Sequence, residues 1–275
     1  MSALLSQLSS YAFLNNAIIA AVMASIACGI TGTFVVVKRI TFISGGIAHA
    51  VLGGVGLAYY FNFSPMLGAF GFAILSAFII GWVKIKARNH ENTVISALWA
   101  IGMAIGVIFM YMTPGYSVDL LSYLFGNILM VTKTNLLILA GLNVVIIGLI
   151  VLLYRQFIAI TYDEEQARLR GLPVNSLYIL LLIIIACTIV VLIQIVGIIL
   201  VIALLSLPAA ISGLYTRSIA GMIFLAIILS LIFTLGGIAI SFFANIPTGA
   251  TIILFSGFGY LVAVSIKRCS ISNRQ

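Results

Sequence analysis

An all-α, polytopic membrane protein of about eight or nine transmembrane helices is what this sequence predicts, and three observations carry the prediction. Hydrophobic residues make up 64% of the 275-residue chain and charged residues only 7%, with a mean hydropathy of +1.32. Uninterrupted apolar runs, such as Ile179–Ile193 with its extension to Leu205, reach the length of about twenty residues that crosses a bilayer as a helix. The basic residues, finally, gather between these runs rather than within them. A soluble domain has roughly 25% charged residues, and one core of this size has no room for so much apolar surface. In hydrocarbon every backbone polar group needs an internal partner, which leaves helices or closed barrels. Barrel strands alternate strictly over about ten residues, and that pattern is missing here.

The elements follow in order. Phe13–Val37 has no basic residue before it and is long enough to span, so it is expected as a genuine helix rather than a removable signal. Lys38 and Arg39 follow it, and Lys84, Lys86 and Arg88 follow the third run. Arg155, Arg168 and Arg170 lie in a mid-chain polar stretch, Arg217 in a short break, and Lys267, Arg268 and Arg274 near the end. Basic residues mark the cytoplasmic side. If all these clusters lie inside, spans at about 13–37, 41–61, 66–83, 94–112, 135–154, 176–194, 197–215, 219–241 and 248–266 alternate without conflict. The N-terminus is then outside and the C-terminus cytoplasmic, with only Lys133 on the outer side. The count falls to eight if the stretch around 194–217 is one span plus a re-entrant piece. The whole chain, 1–275, reads as a single transmembrane domain. Its formal charge of +8 is thereby a topology signal and does not point to nucleic acid. Cys28, Cys187 and Cys269 lie in or beside apolar runs with no CxxC pair, which favours small apolar packing residues over a disulfide or thiolate metal site.

Two polar segments interrupt the spans. The outer one, Thr113–Thr134, holds Pro114-Gly115 and then Asp119 to Asn127; its mixed character predicts a short helix at the outer interface. The inner one, 161–173, reads TYDEEQARLRGLP. Asp163, Glu164 and Glu165 come first, Arg168 and Arg170 last, and Gly171 and Pro173 close it. That charge order suits a helix macrodipole, so a short amphipathic cytoplasmic helix is expected. An ordinary solvated loop is the plainer alternative; a capped helix between two spans points to a docking surface.

His49 is the sharpest single residue, an ionisable group in mid-span. At 100° per residue, Gly45, Gly53 and Gly56 fall within about 40° of it on the helix face. Such a stripe lets helices approach closely and leaves free volume beside the ring. Intramembrane ionisable groups commonly line a pathway, against the plain alternative of a histidine bonded to a neighbouring carbonyl. His90-Glu91 would open an HExxH zinc motif, but position 94 is Val94. No Ser/His/Asp set, P-loop or dinucleotide fingerprint is present. Nothing here argues for an enzyme.

Five blocks carry a family resemblance. Gly32 through Val55, Asp119-Leu-Leu-Ser-Tyr-Leu-Phe-Gly-Asn-Ile-Leu (119–129), Tyr162-Asp-Glu-Glu-Gln-Ala to Gly171-Leu-Pro, Val196-Gly197 through Leu207-Pro-Ala-Ala, and Pro247-Thr-Gly-Ala-Thr-Ile stand in order across about residues 15–266. Together they resemble the permeases of zinc, manganese and iron ABC importers. The resemblance implies a type II ABC importer permease fold in a bacterial plasma (inner) membrane. It implies a second copy of the chain, with a translocation path at the dimer axis. It also implies two cytoplasmic ATPase subunits, which hydrolyse ATP so that this chain binds no cofactor, and an extracytoplasmic metal-binding protein. The segment 161–173 matches the family's coupling helix, so Asp163, Glu164, Glu165, Arg168 and Gly171 are expected at the ATPase contact. His49 is the expected metal-path residue. Many members carry an Asp one turn before it, where this chain has Gly45; the carboxylate of that pair is absent. Asp119 and Asn127 near the outer mouth and Glu91 near the inner one are further pathway candidates. Imidazole without a carboxylate favours zinc over manganese or iron as cargo. An ion-coupled secondary metal transporter is the competing class. It would need buried acids, and Glu91, Asp119 and 163–165 all lie near helix ends.

Overall fold

The computed structural model describes residues 12–86, 91–114, 124, 126 and 128–272. Among them there is no strand. The α-helices are α1 (Ala12–Val37), α2 (Thr41–Tyr60), α3 (Pro65–Lys86), α4 (Glu91–Met112), α5 (Lys133–Leu152), α6 (Tyr154–Tyr162), α7 (Glu164–Leu169), α8 (Val174–Val196), α9 (Ile198–Tyr215), α10 (Ile219–Ala244) and α11 (Thr248–Ser272). A single 3-10 turn, Ile128–Met130, precedes α5. Nine helices among the described residues are long and apolar enough to cross a membrane, so the higher of the two expected counts holds. The doubtful stretch around 194–217 is resolved by Gly197. This one residue, at φ 82°, separates α8 from α9, each of them of spanning length.

The inner polar segment holds a short helix within 161–173, as expected, in the form of α7 over Glu164–Leu169. A further helix that the sequence did not suggest, α6 over Tyr154–Tyr162, precedes it, parted from it by Asp163 in extended conformation. The Asp163 carboxylate accepts a bond from the Gln166 amide, which caps the first turn of α7. At the other end the Gly171 amide reaches Arg168 O and the Leu172 amide reaches Ala167 O. That is a Schellman closure with glycine, φ 78°, in its left-handed position. The outer segment is described only in part, and the helix expected across it lies mostly outside the described residues.

The described residues fall into two compact bodies. One comprises Val37–Leu120 with Val145–Val190, and α2 is its centre. Glycine sets how closely α2 meets its neighbours. A Cβ on Gly54 would strike the carbonyl of Gly68 on α3, and one on Gly68 would strike that of Gly54. On the α4 side, a Cβ on Gly53 would lie 2.8 Å from Gly102 O, one on Gly56 2.7 Å from the Gly106 Cα, and one on Gly102 2.6 Å from the Ala50 Cα. Bilayers give no hydrophobic drive for helix association, so such van der Waals contact holds the bundle.

The other body comprises residues 1–36, 121–144 and 191–275. Here Gly32 presses on the Leu205 carbonyl of α9 and Gly29 on Ile227 of α10. The Asn143 amide donates to Met23 O on α1 at 3.1 Å and to Leu139 O at 2.9 Å. The α10–α11 turn is closed by Asn245 in left-handed conformation and by Ser241. Its hydroxyl donates to Ile246 O at 2.5 Å and pairs with the Thr248 hydroxyl at 2.9 Å. Gly126 packs on the backbone of Val196 and Gly197. Cys28 is buried, Cys187 half-buried and Cys269 exposed, all three free; the packing role expected of all three fails for Cys269.

Candidate functional site

His49 is the ninth residue of α2, on a helix whose sides are fixed by the glycine contacts just described. Its imidazole lies flat on the indole of Trp99 of α4, with ring centroids 4.3 Å apart and planes 5° from parallel. Trp99 is itself held: its Nε1 donates to Met103 Sδ at 3.0 Å, and Phe42 stands 6.4 Å from its ring centre. Among the described residues, the buried His49 Nδ1 has no hydrogen-bond partner, and the carbonyl bond of the plain alternative is not seen there.

The glycine stripe divides in two. Gly53 is taken up by contact with α3 and α4 and Gly56 by contact with α4, whereas a Cβ at Gly45 would meet nothing within 4 Å. Of the three, the position one turn before the imidazole is the one that no neighbour fills. No group of three or more His, Cys, Asp or Glu side chains able to hold a metal occurs among the described residues. Of the other pathway candidates, Asp119 and Asn127 lie outside the described residues, and Glu91 is the first residue of α4, two turns before Trp99. Trp99 was missed by reasoning from titratable residues alone; its only signal was an indole inside an apolar run.

The second polar place lies at the α6–α7 junction. Of the charged residues there, Asp163, Glu165, Arg168 and Arg170 are exposed, while Glu164 is half-buried. Its Oε1 accepts from Lys38 Nζ at 2.5 Å and lies 3.5 Å from Lys84 Nζ. The Lys38 ammonium, its side chain 6% exposed, also donates to the Ile160 carbonyl at 2.5 Å. Lys84 sits 3.8 Å above the Tyr178 ring, a cation–π contact. Burial lowers the Lys38 ammonium, which the Glu164 carboxylate only partly offsets. Burial would raise the Glu164 carboxyl, but the Lys38 hydrogen bond and the Lys84 and Lys38 charges outweigh it and hold the carboxyl below its ordinary range. Lys38 and Lys84 read in the sequence as topology markers, and nothing there linked them to Glu164.

Around this core the outer face of α7 remains open. Leu169 is 89% and Tyr162 66% exposed, standing among the exposed charges. A cleft lined by Arg155, Ile158, Tyr162, Asp163, Gln166 and Arg170 runs between α6 and α7. Arg168 donates to the Asn175 side chain at 3.3 Å, and Gly171 closes the helix.

Known proteins resemble this chain along almost its whole length. An uncharacterised membrane protein of Synechocystis is 47% identical over 94% of this chain and 92% of its own. The manganese transport system membrane protein MntC of Halalkalibacterium halodurans is 33% identical over 94% of this chain and 88% of its own. Among solved structures, PsaBC from Streptococcus pneumoniae in complex with Fab superposes with a TM-score of 0.85 at 32% identity, covering 95% of this chain and 94% of that one. Since the model of the ABC 3 transport family matches residues 10–267, this multi-pass membrane chain belongs to the ABC 3 transport family.

Proposed function

We propose that the chain is the permease subunit of an ATP-driven importer of divalent transition-metal ions, with the path running past His49. Membership of the ABC 3 transport family supports the permease role, and the relative named for manganese transport supports metal as the cargo class. In this reading two copies form the path at their shared axis in a bacterial plasma membrane. The N-terminus faces outward, where an extracytoplasmic metal-binding protein delivers the ion. The C-terminus and the α6–α7 segment face the cytoplasm, where an ATPase subunit docks on α7 and hydrolyses the ATP. Asp163, Glu165 and Arg168 offer exposed charge to that partner, beside exposed Leu169.

The single observation carrying the path assignment is the imidazole itself: a mid-span histidine whose buried Nδ1 has no partner among the described residues, one turn from the unfilled position of Gly45. A histidine kept only for packing would be expected to have both nitrogens satisfied or replaced. Within the metal class, zinc is the favoured cargo. Imidazole suits zinc, while manganese prefers carboxylate and other oxygen ligands, and position 45 supplies none. One or two imidazoles fall short of the three protein ligands of a typical catalytic zinc site, which suits passage rather than storage. Manganese is the second reading, favoured by the name of the Halalkalibacterium relative.

The test is uptake of zinc and of manganese into vesicles holding the permease–ATPase complex and one fixed binding protein. His49→Ala is expected to lower zinc uptake at least tenfold while the complex still assembles. Undiminished uptake by assembled His49→Ala complexes would return this histidine to a packing role. Transport of neither metal by the wild-type complex would overturn the functional reading as a whole.

A further inference from the structure

We propose that Lys38 and Glu164 form a latch through which movement of α7 reaches α2, making them a positioning pair for the transport step. The proposal rests on the reading of α7 as the ATPase contact. Its structural basis is a chain of fixed links. Glu164 is the first residue of α7, and Lys38 binds both its carboxylate and the Ile160 carbonyl near the end of α6. One ammonium therefore ties the two short helices together.

Lys38 in turn belongs to the corner that starts α2. Only Arg39, at φ 58°, and Ile40 separate it from Thr41. The Ile40 carbonyl already accepts from the Ile43 and Ser44 amides, so the corner is bonded into the first turn. A left-handed non-glycine residue persists only where its surroundings over-determine it. From Thr41 to His49 the path is eight residues of unbroken helix, about 12 Å at 1.5 Å per residue. Such a helix moves as a rod. A displacement of α7 acting on Glu164 is passed through Lys38 to the end of the rod that carries the imidazole.

The arrangement differs from an ordinary surface ion pair. Exposed pairs contribute little, and a cytoplasmic topology signal needs no buried lysine. Here burial costs Lys38 solvation, which its bonds to carboxylate and carbonyl partly offset. Lys84, on α3, meets the same carboxylate and is held over Tyr178 of α8, so Glu164 is also referred to the ends of two spanning helices. The other acidic residues of the segment, Asp163 and Glu165, are exposed. Glu164 alone among them turns inward, away from any partner on the outer face of α7.

The experiment uses the assembled permease–ATPase complex in proteoliposomes, reading zinc uptake, ATP hydrolysis and ATPase retention together. Glu164→Gln and Lys38→Gln are expected to lower uptake at least tenfold while hydrolysis stays within about twofold of wild type and the ATPase remains bound. The exchange of both residues, Lys38→Glu with Glu164→Lys, keeps two cations and one carboxylate in the cluster and should recover part of the lost uptake per ATP. Lys38→Arg keeps the charge and should retain most of it. Uptake within twofold of wild type in both glutamine variants overturns the latch. So does a parallel fall of uptake, hydrolysis and ATPase retention that the exchange leaves unrepaired, since the pair would then only staple the fold. A wild-type complex that binds no ATPase fails differently, by removing the reading on which the latch stands.

Discussion

Two polar places in the body built on α2 are opposites. At the α6–α7 junction, three charged groups are fully engaged: Glu164 with two lysines, Lys38 with a carboxylate and a carbonyl, Lys84 with a carboxylate and an aromatic face. At mid-span, His49 has one ring face covered by Trp99 and a buried nitrogen without a hydrogen-bond partner among the described residues. Burial of polar groups is costly in both places. The first recovers part of that cost within the protein and so is suited to hold a geometry. The second does not; on the proposed reading, a passing cation that accepts an imidazole lone pair would recover it there. On that reading the difference separates a mechanical element from a ligand-facing one.

The sharpest way to break this comparison is to disturb the scaffold that keeps His49 in place. Gly54 faces the Gly68 carbonyl at a distance no Cβ tolerates, so Gly54→Val forces α2 and α3 apart. Overpacking of this kind costs about 1–3 kcal/mol or more, and the strain falls on the helix that carries the imidazole. We expect a clearly lowered Tm in detergent and loss of metal uptake together. Gly45→Ala, whose Cβ meets nothing within 4 Å, should leave the Tm unchanged or slightly raised, since alanine favours a helix interior over glycine. Equal effects at the two glycines would remove the distinction between packing and path positions on α2.

That distinction shows what the residues alone disclosed. The spanning segments, their approximate limits and the short α7 were legible, because apolar run length, charge placement and the Asp163-to-Gly171 caps are local signals; α6 was not. The 100° rule placed Gly45, Gly53 and Gly56 on the face of His49. It had no means of telling which of them another helix occupies, since that depends on where Gly102 and Gly106 of α4 arrive. Likewise Lys38 and Glu164 are 126 positions apart, and only folding makes them partners. Asp163 ends α6 and caps α7, and the charge order that pointed to α7 carried no sign of α6. Contacts between distant segments carry no periodicity, and there the sequence fell silent.

A middle-sized effect is expected at Trp99. The indole covers one face of the imidazole and is anchored by Met103, so it limits how the ring turns and, on the proposed reading, which edge would meet an ion. Stacked aromatic pairs contribute about 0.5–1.5 kcal/mol, equivalent to roughly two- to tenfold in an affinity. Trp99→Ala should therefore raise the zinc concentration for half-maximal uptake by about that factor, with ATPase retention unchanged. Trp99→Phe keeps a stacking face and should recover most of it. An unaltered zinc dependence in Trp99→Ala would leave the stack as packing and weaken the contrast between the two polar places.

The smallest effect on total transport, and the most informative about cargo, belongs to Gly45→Asp. The space at position 45 admits the new Cβ without contact, and one turn of helix brings position 45 under position 49 on the same face. The variant thus adds a hard oxygen ligand beside the imidazole while leaving the packing of α2 on α3 and α4 intact. Oxygen ligands serve manganese better than an imidazole alone does. With the same binding protein and the same ATPase, total uptake is expected to remain within about threefold, while the ratio of manganese to zinc passage rises severalfold. Capture by the binding protein acts equally on both complexes, so a changed ratio has to arise at the permease. If Gly45→Asp transports both metals in the wild-type proportion while retaining its Tm, the ion does not pass close enough to positions 45 and 49 to sense them. The cargo preference argued from the missing carboxylate would then fail, even with His49→Ala inactive.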